Sequence, residues 1–219
     1  MEKYFSILKQ CELFGNIEEK DMCAMLACLG ARVLSVDKGE MIFQEGQAAK
    51  YIGIVLSGAA QIVQDDFYGN RSILANITPS RLFGEAFACA DVDSLPISVL
   101  ASEDSEILLI NCQRITNTCC HSCGFHKQMI YNLLRAVATK NLMLHQKIEI
   151  TSKRTTREKL MAYLTSQAKL HHSNCFTIPY DRQALADYLG VERSAMSAEI
   201  SRLRKDGIID CHKCDFKIL

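Results

Sequence analysis

Three thiols and two imidazoles crowd the middle of this 219-residue sequence, in the run Cys119-Cys120-His121-Ser122-Cys123-Gly124-Phe125-His126. Cys120 and Cys123 at CxxC spacing, with His126 three residues on, are the soft ligands that a zinc ion or an iron–sulfur centre takes. Such a centre wants four, and the fourth would come from Cys112, Cys119, Cys11 or a second copy of the chain. Thiol redox sensing and no redox role at all are the two other readings of the same cluster. Cys211-x-x-Cys214 repeats the spacing, and there a hairpin turn with two unreactive thiols is the simpler reading. A different chemistry is offered by Arg193, Ser194 and Ser197, a guanidinium and two hydroxyls grouped within five residues. They are hydrogen-bonding groups of the kind that reads an edge or an anion. No serine, histidine and carboxylate stand in a catalytic pattern and no phosphate-cradling glycine loop occurs, so no enzymatic activity is expected.

Arg193, Ser194 and Ser197 sit in a helix–turn–helix pattern between Asp181 and Lys205. Asp181 is a good N-cap, and Ala184, Leu185, Tyr188 and Leu189 share one face of the helix it starts. Gly190 can end that helix in a left-handed conformation, Val191 fills the turn, and Glu192 begins the next. On this second helix Ala195, Met196, Ile200 and Leu203 are expected inward, leaving Arg193, Ser194, Ser197, Ala198 and Arg202 outward. A helix held proud by so short a turn fits the major groove of DNA, which is about 12 Å wide. An ordinary helical hairpin has the same local spacing. Beyond it, Ile208 and Ile209, a polar turn at His212 and Lys213, and Phe216 to Leu219 form a β-hairpin pattern, the wing of a winged helix. Charge agrees: residues 151–219 hold 12 Lys plus Arg against 8 Asp plus Glu, whereas residues 1–150 hold 13 against 17. The zero formal net charge of the whole chain therefore hides a basic C-terminal end suited to phosphate contacts.

The rest of the chain must hold and control that unit. A 48% hydrophobic, 23% charged composition is that of a globular protein, and neither a signal peptide nor an apolar run long enough for a membrane span is present, so a cytoplasmic protein is expected. Eleven cysteines, an odd number, argue against a secreted disulfide framework; Cys28, Cys89 and Cys175 look isolated and serve as small apolar groups. From Arg32 to Ile110, runs such as Tyr51–Leu56, Ala59–Val63, Ser72–Ile77, Ser98–Ala101 and Glu106–Ile110 alternate between glycines, the pattern of a β-barrel or sandwich. Between Phe125 and Ile150 there is neither glycine nor proline, and Ile130, Leu134, Val137, Asn141, Leu144, Ile148 and Thr151 recur at spacings of four and three. That is a coiled-coil seam with a polar Asn141 that can fix register; a helix lying on its own barrel is the alternative. It would be about 39 Å long. Thr155 and Glu158 form a capping box for the following helix, which makes residues 152–154 the natural hinge. The expected fold is α+β: residues 1–123 a β-barrel sensor domain of jelly-roll type, 124–150 a long dimerisation helix, 151–219 a winged helix–turn–helix. Helix–turn–helix proteins commonly read two half-sites, so a parallel homodimer on a near-palindromic duplex is predicted.

Lys38-Gly39-Glu40, Phe43, Glu45-Gly46, Gly58 and Phe83-Gly84-Glu85 stand in the order found in cyclic-nucleotide-binding barrels. With the C-terminal reader they make the chain resemble the CRP/FNR family of bacterial transcription regulators over roughly residues 10–219. The resemblance implies an effector pocket around Phe83, Gly84, Glu85 and Leu95, with Leu144 and His145 on the long helix at the positions that would touch a base. Where nucleotide-binding members carry an Arg-Ser pair for the cyclic phosphate, this chain has Leu95 and Pro96. A phosphate buried without cation or donors is costly, so cyclic AMP is not expected, and an unidentified small molecule or a redox signal is. The cluster-binding branch holds its cluster largely through N-terminal cysteines, and Cys11, Cys23 and Cys28 lack that spacing. The resemblance also puts Arg193, Ser194 and Ser197 at base-reading positions, with Arg193 suited to guanine O6 and N7. Ala198 stands where many relatives have arginine. Arg182 and Gln183 at a helix N-terminus, with Arg202 and Lys213, are the phosphate-contact candidates, and RNA polymerase is a further partner if the regulator activates. The competing function is a metal- or thiol-based redox protein that retains a non-functional DNA-binding domain.

Overall fold

The computed structural model describes residues 2–117 and 124–219, and it divides into two compact units, Met1–Thr139 and Lys140–Leu219. The first unit starts with short helices α1 (Phe5–Leu8) and α2 (Glu19–Cys28) and continues through strands β1 (Arg32–Val36), β2 (Met41–Phe43), β3 (Tyr51–Ser57), β4 (Ala60–Asp65), β5 (Arg71–Ile77) and β6 (Leu82–Phe83). After helix α3 (Glu85–Cys89) come β7 (Ser98–Ala101), β8 (Ser105–Asn111) and helix α4 (Cys112–Thr116). The strands form two four-stranded antiparallel sheets, ordered β1-β8-β3-β6 and β2-β7-β4-β5. Among the described residues no strand pairs across the two, so the expected jelly-roll domain takes the form of a two-sheet sandwich.

The alternation of β3 and β8 explains why both read as continuous apolar runs. Val55, Ile107 and Leu109 face the space between the sheets with Phe43, Phe83, Leu95 and Val99. Their neighbours Ile52, Ile54, Leu56, Leu108 and Ile110 face the other way, onto a second core made with Phe14, Met22, Met25, Met129 and Leu133. Helices must therefore cover that sheet, since so much apolar surface on one face cannot be left to water. Gly53 lies against the Phe83 ring, where any side chain would collide with it.

The long helix α5 (Gly124–Thr151) is a continuous 28-residue element. Its first half covers the sheet through Met129, Leu133 and Ala136, and buried Asn132 donates to the carbonyls of Leu13 (2.9 Å) and Gly15 (2.8 Å). That requirement divides the seam expected from the sequence. Ile130 and Val137, expected in the seam, are half-buried against the N-terminal core of their own chain. Leu134, Asn141, Leu144 and Ile148 are exposed, and Leu134, Leu142, Met143, Leu144 and Ile148 are each 61–69% exposed.

The second unit continues with α6 (Thr156–His171), β9 (Cys175–Thr177), α7 (Arg182–Leu189), α8 (Arg193–Lys205), β10 (Ile209–His212) and β11 (Asp215–Ile218). The three strands form one antiparallel sheet ordered β10-β11-β9. Its core joins Ile150, Leu160, Tyr163 and Leu164 to Phe176, Leu185, Leu189, Met196, Ile200, Leu203 and Phe216. Thr155 and Glu158 make the full capping box, the side chain of each accepting from the backbone of the other. The amide of Thr155, foremost among several donors, holds the Glu158 carboxyl below its ordinary range. No helix among the described residues is long and apolar enough to cross a membrane.

Candidate nucleic-acid interface

Asp181 caps α7, its Oδ1 accepting from the Ala184 amide at 2.8 Å. Gly190 ends the helix with φ of 61°, a left-handed conformation that glycine takes without strain, and the Val191 amide closes the turn on the Ala186 carbonyl at 3.1 Å. Lys159 of α6 places its Nζ 3.3 Å from the Leu189 carbonyl, a cation at the negative end of α7. Glu192 then leads directly into α8. Asp181 and Gly190 thus fix the two ends of the first helix and the turn that follows it.

The inward stripe of α8 is Met196, Glu199, Ile200 and Leu203, all buried. Ala195, expected inward, is exposed: the buried positions follow 196, 199, 200 and 203, and that phase turns 195 away. Glu199 takes the fourth inward place because cations reach it. Arg157 of α6 donates to its Oε1 at 3.2 Å and also holds Asp206, the C-cap of α8, at 3.0 Å; Arg202 donates to its Oε2 at 3.2 Å. A buried carboxylate held from two sides pins the middle and the end of α8 to α6, because it is costly to leave unpaired.

This clamp decides which of the candidate residues are free. Arg193 and Ser194, in the first turn of α8, are exposed and make no side-chain hydrogen bond or ion pair among the described residues. Ser197 follows one turn on and is half-buried, and Ala198 is exposed. Arg202 is exposed but engaged by Glu199. Arg182 is half-buried: its guanidinium lies 5.2 Å from the centre of the Phe216 ring and its Nη2 sits 3.5 Å from the Cys211 sulfur, so it ties α7 to the wing. Gln183 is exposed and bonded to Asp187 at 2.8 Å, and Lys213 stands exposed at the tip of the β10–β11 hairpin with φ of 52°. Arg157 and buried Glu199 were not singled out from the sequence, and only the inward phase of α8 could have drawn attention to Glu199.

In the first unit, Phe83 packs on Phe43 with ring centroids 5.4 Å apart, Gly84 has φ of 77°, and Glu85 and Leu95 are buried. Leu95 exchanges backbone hydrogen bonds with Gly46 (2.9 Å) and Gln47 (2.8 Å), which seats it in the core between the sheets. Beside it is a cavity of about 220 Å³ lined by Phe43, Tyr51, Leu95 and the Gln47–Lys50 segment. Leu144 and His145 are exposed on α5. Of the proposed metal ligands, Cys120 and Cys123 lie outside the described residues. His126 is buried, its Nε2 3.3 Å from the Arg114 carbonyl and its ring stacked on Phe125. Cys11 is buried, Cys28 half-buried and Cys23 exposed. No group of three or more His, Cys, Asp or Glu among the described residues could hold a metal ion.

Two family models match the chain, the cyclic nucleotide-binding domain over residues 33–120 and the Crp-like helix-turn-helix domain over residues 158–219. The transcriptional activator protein FnrA of Stutzerimonas stutzeri is 23% identical over 221 residues, 96% of this chain and 88% of FnrA. FnrL of Cereibacter sphaeroides, also a transcriptional activator protein, is 26% identical over 190 residues, 80% of this chain and 71% of FnrL. Among solved structures, DNR from Pseudomonas aeruginosa is similar over 100% of this chain and 95% of its own, with 20% identity and a TM-score of 0.52. The Thermus thermophilus catabolite activator protein is similar over 95% and 93%, with 20% identity and a TM-score of 0.51. These structural likenesses establish the fold.

Proposed function

The chain belongs to the CRP/FNR family of DNA-binding transcription regulators, and from that premise we propose a homodimer in which each α8 reads one half of a near-palindromic duplex. The observation that carries this reading is the contrast within α8: Glu199 fastens the helix from behind through Arg157, while Arg193 and Ser194 face solvent with no intramolecular partner among the described residues. A rigid helix with unspent donors in its first turn is what major-groove readout requires. Arg193 reads a guanine, Ser194 and Ser197 make neighbouring base or phosphate contacts, and Gln183 and Lys213 hold phosphates. Arg182 and Arg202 contribute charge from the positions where Phe216 and Glu199 hold them. The exposed apolar stripe of α5, Leu134, Leu144 and Ile148 with Asn141 among them, supports the dimer, since such side chains are otherwise left in water.

The signal is received in the N-terminal unit, and it is a small molecule other than cyclic AMP or a change in redox state. The burial of Leu95 in the sandwich core, where an arginine would be needed to grip a cyclic phosphate, supports that reading. The signal acts by favouring one of two arrangements of the dimer. If the bound regulator activates, it does so through RNA polymerase. The test is selection of duplexes from a random pool by the purified protein, with sedimentation velocity on the selected complex. Recovery of a two-fold-related sequence bound by two chains is the expected result; a pool that stays random sinks the reading.

A further inference from the structure

Cys89 and Cys112 are 23 residues apart in sequence, yet their sulfur atoms are 3.6 Å apart. Cys89, which looks isolated in the sequence, is therefore one half of a pair. It ends α3 and is exposed, whereas Cys112 opens α4 and is buried. We propose that this pair is a modification site, a dithiol that hydroperoxides oxidise reversibly to an intramolecular disulfide. This deepens the redox arm of the function proposed above and rests on it only for its consequence, since the chemistry itself needs no DNA.

Each partner is suited to one step. The hydrogen bond between the two sulfurs holds Cys89 below the ordinary thiol range, and the same bond, followed by burial, pushes Cys112 up. Exposed Cys89 is thus the nucleophile and buried Cys112 the resolving thiol. Cys89 thiolate attacks the outer oxygen of the hydroperoxide: an S–O bond forms, the O–O bond breaks, and the departing alkoxide takes up a proton as an alcohol. Cys112 then attacks the sulfur of the Cys89 sulfenic acid. An S–S bond forms, the S–O bond breaks, and hydroxide leaves with the Cys112 proton as water. The two thiols together lose two electrons and two protons, and the hydroperoxide is reduced to alcohol and water.

Closing from 3.6 Å to a bond of about 2.05 Å asks for an approach of roughly 1.5 Å. Cys112 is the fixed side, its amide bonded to the Lys50 carbonyl at 3.0 Å and its carbonyl accepting from Thr116. The five-residue α3, leaving the turn at Gly84, is the side that moves. The neighbour of that fixed side is the root of α5: Arg114, two residues beyond Cys112, offers its carbonyl to buried His126 and its guanidinium to the Cys28 carbonyl at 3.4 Å. A bond pulling α3 onto α4 is thereby felt where the long helix begins.

The tryptic peptide from Leu82 to Arg114 contains Cys89 and Cys112 and no other cysteine. Fully reduced protein, without DNA and with chelator present, is treated with one equivalent of hydrogen peroxide, alkylated, digested and weighed. The expected result is that this peptide loses two hydrogens, resists alkylation and recovers both thiols with dithiothreitol. Cys112→Ser is expected to leave a dimedone-reactive sulfenic acid at Cys89. A peptide that stays doubly alkylated after other cysteines have reacted, or a Cys89 bridged to a different peptide, overturns the proposal. Wild-type protein supplies the decisive map, so misfolding of a variant cannot obscure it. Absence of the disulfide sinks the switch alone, whereas failure to select a duplex sinks the DNA reading alone.

Discussion

Replacing Arg193 by alanine removes the exposed cation in the first turn of α8, and the structure sets what that should cost. Among the described residues the Arg193 side chain makes no hydrogen bond, ion pair or ring interaction, so folding stability should be unchanged. The whole penalty falls on DNA. A bidentate arginine–guanine contact is worth about 1 to 3 kcal/mol, which at 1.4 kcal/mol per decade is a loss of roughly 5- to 140-fold in affinity for the selected site. A duplex of scrambled sequence should lose far less, and the slope of log affinity against log salt should stay nearly constant, because a base edge releases no counterion. Lys213→Ala serves as the contrast: if this wing cation holds a phosphate, every duplex should bind more weakly to the same extent and the slope should fall by about 0.9. Fluorescence anisotropy across a salt series with both duplexes reads all four quantities. If Arg193→Ala weakens selected and scrambled duplexes equally, with a shallower slope, then Arg193 holds a phosphate and the assignment of α8 is refuted.

The other predictions concern the scaffold and the dimer. Gly53→Ala drives a methyl into the Phe83 ring and should destabilise the N-terminal unit by about 1–3 kcal/mol, lowering its melting temperature; an unchanged melt would contradict a filled sandwich. A carboxylate placed at Leu144 or Ile148 would be buried without a partner in an α5 seam, so Leu144→Asp with Ile148→Asp should turn the dimer into a monomer in sedimentation velocity; a dimer that persists means the seam lies elsewhere. Glu158 is more acidic folded than unfolded, so its cap is at full strength above the unfolded value of about 4.3 and fades as pH falls through the lower folded value. Glu158→Gln should therefore show a shallower loss of melting temperature on acidification than the wild type, and parallel acid limbs would rule this out.

What was legible in the sequence was what local chemistry controls. Asp181, Gly190 and the capping box at Thr155 and Glu158 place helix ends by bonds that span three or four residues, and each occurs as read. The alternating runs became β3, β4, β5, β7 and β8 with shifts of a residue or two at their ends. The rest depended on partners distant in the chain. β9 has three residues and is a strand because β11 pairs with it, at Phe216 and Phe176. Whether two sheets close into a barrel depends on edge pairings that no single strand encodes. Glu199 is buried because Arg157, 42 residues earlier, reaches it, and a local count of apolar positions had put Ala195 inward instead. Ile130 and Val137 fit a heptad equally well as seam or as cover for the sheet, and their half-burial against the N-terminal core is set by the apolar backs of β3 and β8, which the local pattern does not show. The same distance kept Cys89 and Cys112 apart on paper.

The central claim, that the first turn of α8 enters the major groove and Arg193 meets a guanine there, is tested most directly by a double-mutant cycle across the interface. Each guanine of the selected site is replaced in turn by 7-deazaguanine, which lacks the N7 acceptor, and affinities are measured with wild-type protein and with Arg193→Ala. The account predicts one guanine in each half-site whose modification weakens the wild type but has no further effect on the variant. Losses that simply add at every guanine would contradict it.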